Sequence, residues 1–130
     1  MPKRPFGLVL PLLLLACEER DRLTFPSEPV GVGPVTTIED PSVDTVLNAG
    51  VVYVVGGRAV DPDGVDSLYF EIGGSGQGFL PAAGHGETEV IFGLPIQTQG
   101  LAGAIVAVRV RAKDILGHTG EAVTRRLTIE

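Results

Sequence analysis

Asp61, Asp63 and Asp66 crowd one short stretch of this chain, and Asp114 with His118 marks a second. Both stretches mix acid with turn-forming residues, as Asp61-Pro-Asp-Gly64 and Asp114-Ile-Leu-Gly117-His118. Carboxylates brought together could ligate a hard cation such as calcium, which takes about six to eight oxygens. An aspartate beside Pro or Gly equally suits a tight turn, where its carboxylate accepts from nearby backbone N–H groups and Gly takes positive φ. The calcium candidates are therefore Asp61, Asp63 and Asp114, with Asp66 beside them, while the turn reading needs no metal and no cofactor. Turn chemistry is the expectation.

His85, Glu87 and His118 complete the metal-ligating types. Zinc wants three or four N, S or O donors at about 2 Å, and His85 stands in a loop between glycines while His118 stands in another, with nothing in their spacing to bring them together. Ser75 lies in Gly73-Gly-Ser-Gly-Gln-Gly78, without the strand, turn and helix context of a nucleophile elbow. That glycine run also lacks the Lys-Ser/Thr continuation and following helix of a phosphate cradle. No catalytic set is visible, and the expectation is a protein that is not an enzyme.

Cys17 is the sole cysteine, so no disulfide can form within the chain. It follows a basic start, Lys3 and Arg4, and an apolar run from Phe6 to Ala16 that Pro11 interrupts. Eleven residues are too few to cross a bilayer as a helix, which needs roughly 20, and a positive flank with a small residue before the cut marks a cleaved export segment. The ending Leu14-Leu15-Ala16-Cys17 resembles the lipobox of bacterial lipoproteins. The resemblance implies cleavage before Cys17, lipidation of its sulfur and a membrane anchor, each buried acyl CH₂ giving about 0.8 kcal/mol. Ten basic side chains less Lys3 and Arg4 leave eight against sixteen acidic ones, a formal charge of −8. Such a chain lacks the basic surface that nucleic acid or anionic lipid would need.

The domain organisation follows: a signal at 1–16, a tether at 17–33 and one folded unit at 34–130. The tether is charged, then rich in Pro and Gly; as a coil it would reach roughly 20 to 25 Å. The 97 residues of the last part suit one sandwich of about 100 residues. Its apolar residues recur at period two. In 105–113, Val106, Val108, Val110 and Ala112 share one side and Arg109, Arg111 and Lys113 the other, so one face is buried and one wet. In 65–72, Leu68, Phe70 and Ile72 face inward and Ser67, Tyr69 and Glu71 outward, and in 88–94 Val90, Phe92 and Leu94 face inward. Arg58 sets the parity of 51–60, with Val51, Tyr53, Val55, Gly57 and Ala59 inside. A first strand is expected at 35–39 and a short one at 77–81. In 123–129 the alternation points Arg125 at the core, which predicts an edge position or a bulge.

Two phrases carry a further likeness: Ala59-Val60-Asp61-Pro62-Asp63-Gly64 closing one strand and Ala112-Lys113-Asp114-Ile115-Leu116-Gly117 closing another. They resemble bacterial immunoglobulin-like modules of the fibronectin III and cadherin-like kind. The resemblance implies an all-β fold, an immunoglobulin-like β-sandwich of about seven antiparallel strands. The core Trp and cysteine pair of antibody domains are absent. The topology also implies that the loops at 61–65 and 115–120 share one end with the N-terminus, while the loop at 95–103 and Glu130 occupy the other. Cadherin-type calcium sites lie between successive domains, and here one domain is expected.

The function expected from these readings is a lipid-anchored, non-catalytic binding or adaptor module of the cell envelope, on the extracytoplasmic side and contacting an envelope protein. Glu18 rather than Asp after the lipidated cysteine favours an outer membrane where the organism has one. The alternatives are a carbohydrate-binding envelope module and a calcium-stabilised spacer. Tyr69, Ile91, Leu94 and Ile96 are the candidate contact residues, the last two as part of the 95–103 loop region.

Overall fold

Val, Ile, Leu and Phe alternate with charged and small residues throughout the folded part, which leaves no stripe at helical spacing. The computed structural model describes residues 33–130, and these form strands joined by turns. The signal segment, Cys17 and nearly all of the expected tether lie outside the described residues. The strands are β1 (Val35–Asp40), β2 (Thr45–Leu47), β3 (Val52–Gly73), β4 (Ala82–Gln97), β5 (Ile105–Asp114) and β6 (Val123–Ile129).

Two long strands serve both layers of the sandwich. The first half of β3 pairs antiparallel with β1, Val60 opposite Val35, and with the second half of β4, Val55 opposite Leu94. Register shifts between Val60 and Ser67 carry β3 across to the second layer. There Leu68 lies opposite Ala112 of β5 and Ala82 at the start of β4. β5 pairs with β6, and the short β2 pairs in parallel with the far side of β6. One layer thus holds β1, β3 and β4, and the other β4, β3, β5, β6 and β2.

The alternation expected along β3, β4 and β5 holds except at Val51, which is expected inside but precedes β3 and is 45% exposed. Val55, Ala59, Leu68, Val106, Val108, Val110 and Ala112 are fully buried between the layers. Phe70 and Phe92 meet across them, ring centroids 5.8 Å apart and tilted at 55°. Gly57 is required by this packing: a Cβ there would lie 2.7 Å from Phe92 Cζ and 2.0 Å from the Thr37 carbonyl oxygen.

Several details differ from the sequence reading. The strands expected at 51–60 and 65–72 are one continuous β3, because Gly64, at φ 106°, lets the chain cross between layers without leaving the ladder. No strand forms at 77–81, and β4 begins at Ala82. β4 then continues to Gln97, so Leu94 and Ile96 belong to a strand and not a loop. Pro95 is tolerated because this half of β4 pairs on one side only, with Val54 opposite. β6 is no edge, since β2 covers it. Arg125 does point inward, at the seam between β1 and β6. Its Nε donates to the Pro41 carbonyl at 2.8 Å and an Nη to the Ile38 carbonyl at 2.7 Å.

Candidate functional site

The crossing point of β3 and the end of β5 bring three of the four aspartates together. Val65 lies opposite Asp114 in the ladder, and Ile115 N donates to the Gly64 carbonyl at 3.0 Å, which ties the two turns. One carboxylate oxygen from each of Asp61, Asp63 and Asp114 lies within 4.8 Å of the others. Asp61 and Asp114 are each 1% exposed, whereas Asp63 is open to solvent. Asp66 is turned away, its Oδ2 accepting from Ser67 Oγ at 3.2 Å.

Turn chemistry accounts for part of this geometry. Asp61 Oδ1 accepts from Asp63 N at 2.7 Å. Asp114 Oδ1 accepts from Leu116 N at 3.0 Å and from His118 N at 2.7 Å, and its Oδ2 lies 3.1 Å from His118 Nδ1. Burial is the largest influence on Asp114 and would raise its pKa. The His118 N–H, the His118 imidazole and the Leu116 N–H together outweigh it and hold the carboxyl below its ordinary value. Asp61 Oδ2 has no hydrogen-bond partner although it is buried. His85 and Glu87 are exposed and stand outside the cluster. His118 therefore joins Asp114.

The two outer faces of the sandwich differ in character. On the layer of β1, β3 and β4, Val35, Val52, Val54, Val60 and Ile91 are 41 to 71% exposed, with Pro95 beside Val54 and with Gly56 and Gly93 paired at the centre. Arg58 crosses this face between Glu39, at 2.9 Å, and Glu89, at 2.8 Å. Ile91 is thus exposed as the contact reading requires. Leu94 and Ile96 are not: they are 4% and 0% exposed on the inner side of the same strand, and cannot be contact residues. Alternation from Phe92 was the signal that places them inside.

On the other layer, Arg109, Arg111 and Lys113 of β5 and Arg126 of β6 face outward, four of the six cationic side chains between residues 33 and 130. Tyr69 is half-buried there. Arg111 lies over its ring at 5.5 Å, and its hydroxyl meets Ser67 Oγ at 3.1 Å. A ring already capped by a guanidinium offers no open platform for a sugar.

The described chain enters at the aspartate end. A Cβ on Gly120 would lie 1.9 Å from the Pro34 carbonyl oxygen, which places the N-terminal side against the 115–120 turn. Ala49 N bonds the Glu130 carbonyl at 2.9 Å and Gly103 N the Ile129 carbonyl at 2.8 Å, so the C-terminus sits at the opposite end, as the topology implied. A groove of about 560 Å³ runs along 33–36 and 120–124, where Glu121 is its single ionisable side chain. Among the described residues no helix is long and apolar enough to cross a membrane.

Strand order, the parallel β2–β6 pairing and the two-layer core define an all-β, immunoglobulin-like sandwich module. No family model and no curated protein matches the chain. Among solved structures it is similar to a variant of the SrpA adhesin from Streptococcus sanguinis, at 18% identity and a TM-score of 0.49. That alignment covers 78% of this chain and 57% of the adhesin chain, so this protein spans little more than half of it. It is also similar to the PKD domain of a peptidase from a Thermoplasmatales archaeon, at 29% identity and a TM-score of 0.42, over 74% of this chain and 91% of that one. Both fall below a TM-score of 0.5.

Proposed function

We propose that this chain is a bacterial lipoprotein, anchored in the cell envelope through lipid on Cys17, whose immunoglobulin-like domain is a non-catalytic module that docks an envelope protein. The anchor is supported by the Lys3–Arg4 start, the short apolar run and Leu14-Leu15-Ala16-Cys17. The observation that carries the docking reading is the apolar outer face of β1, β3 and β4. Five large aliphatic side chains stand exposed on one sheet face, flattened at Gly56 and Gly93 and crossed by the charged row Glu39, Arg58 and Glu89. Exposed large aliphatic side chains gathered on one face, with an Arg among them, are what a protein interface presents. The described groove, where Glu121 is the single ionisable side chain and no His, Cys or Lys stands beside the Thr36 and Thr124 hydroxyls, adds no support for catalysis.

Two measurements test the reading. Radiolabelled palmitate incorporated into the chain in cells should disappear in Cys17→Ser, and label retained in that variant refutes the anchor. Photocrosslinkers placed at Ile91 and Val54 should capture a discrete envelope protein in intact cells, and one at Arg109 on the opposite face should not. Capture confined to the Arg109 face would put the docking surface on the wrong side.

A further inference from the structure

We propose that Asp61, Asp63 and Asp114 bind a calcium ion that joins the crossing point of β3 to the end of β5. The turns explain three of the four oxygens on the two buried aspartates. Asp61 Oδ1 serves Asp63 N, and both oxygens of Asp114 serve Leu116 and His118. Asp61 Oδ2 is left over, on a side chain 1% exposed, with no donor in reach. A buried carboxylate oxygen without a partner bears its full desolvation cost, and native folds rarely leave one so. The ligand that would satisfy it must carry positive charge, because Asp63 and Asp114 bring two more carboxylates within 4.8 Å. Among the described residues no Lys or Arg pairs with any of the three, and the His118 imidazole lies 3.1 Å from Asp114 Oδ2.

The donor set selects the ion. Converging carboxylate oxygens with flexible turns suit calcium, which accepts about six to eight oxygens in irregular geometry, about three to five more than the three residues supply singly. Bidentate carboxylates and water complete such a shell, and exposed Asp63 gives both ion and water access. Magnesium demands a near-ideal octahedron and gives up its waters reluctantly. Zinc would want nitrogen or sulfur, and the one imidazole nearby already faces Asp114 Oδ2 at 3.1 Å. The backbone N–H groups on Asp61 and Asp114 hold both carboxylates in place before the ion arrives. The proposal stands independently of the anchor and of the docking face.

The experiment uses the full chain in detergent, stripped with a chelator and titrated calorimetrically with calcium, magnesium or zinc chloride. One calcium site with Kd of about 10⁻⁴ to 10⁻³ M is expected, the range of extracellular modules. At about 5 mM calcium this raises the melting temperature by roughly 4 to 10 °C, and chelator reverses it. Asp63→Asn, at an exposed position, should weaken calcium binding about tenfold or more while leaving the chelated melting temperature unchanged. Asp66→Asn should leave binding intact. Asp61→Asn should abolish the calcium response. The proposal is overturned if calcium produces neither heat nor a melting shift, if Asp63→Asn and Asp61→Asn respond as fully as the parent, or if zinc binds tighter than calcium in a manner lost with His118→Ala.

Discussion

Replacing Arg125 with methionine should cost more stability than any other exchange of a cationic side chain in the domain. The side chain closes the seam where β1 leaves its layer and β6 lies beneath it, donating to the Ile38 and Pro41 carbonyls at 2.7 and 2.8 Å. Methionine fills a similar apolar volume but strands both acceptors. Hydrogen bonds to a charged donor contribute about 1.5 to 3 kcal/mol each. The seam is only half-buried, so entering water recovers part of this, and a loss of about 2 to 4 kcal/mol is expected for the pair. For a domain of this size that lowers the melting temperature by roughly 10 to 25 °C. The assay is urea unfolding of the full chain followed by far-UV circular dichroism, compared with Arg126→Met. Arg126 is the adjacent residue, exposed on the opposite face, and its exchange should change stability by less than about 0.5 kcal/mol. Arg125→Lys should fall between them, since an ammonium cannot span two carbonyls as a guanidinium fork does. If Arg125→Met and Arg126→Met unfold within about 0.5 kcal/mol of each other, the two carbonyl contacts contribute nothing net and the reasoning fails.

Two further outcomes follow from burial and charge. Val106→Asp should abolish cooperative unfolding, because the fully buried Val106 lies opposite buried Leu127 and the new carboxylate finds no partner there. Val108→Asp should be milder, since Val108 lies opposite Arg125 across the same ladder; equal damage from both would show that Arg125 does not reach inward. Asp114, held below its ordinary pKa, contributes stability that is present above the usual aspartate value of about 4 and is lost as pH falls through its folded-state value. In chelator, the acid limb of a melting-temperature profile should therefore flatten in Asp114→Asn, and an unchanged limb would show that the His118 and Leu116 contacts do not favour the charged form.

Much of the fold was legible because charge marks the outer side of a strand. Arg109, Arg111 and Lys113 set the parity of β5, and Arg58 sets that of the β3 run, where Val51 to Val55 alone could face either way. The reading failed where a breaker was taken at face value. Pro95 suggests a loop, which makes Ile96 a contact candidate and Leu94 one against its own inward parity, yet on a free strand edge a missing N–H costs no ladder bond and the alternation from Phe92 continues. Gly64 suggested a break between strands, yet at a layer crossing it keeps one strand continuous. β2 was not foreseen, because Thr45–Leu47 is too short for period two to stand out.

The acidic cluster shows what spacing alone cannot supply. Asp61 and Asp63 are neighbours in sequence, and any turn containing them would look the same. What distinguishes a cation site from a turn is a third carboxylate from far along the chain and an oxygen that the turn does not use. The third comes from Asp114, brought opposite Val65 by a register shift in β3 that no local pattern encodes. The unused oxygen appears only once Asp61 is buried, since the same atom on a solvated turn would bond to water. Convergence and burial are both products of the two-layer crossing, so the same strand that holds the sandwich together is the one that turns ordinary turn acids into candidate ligands.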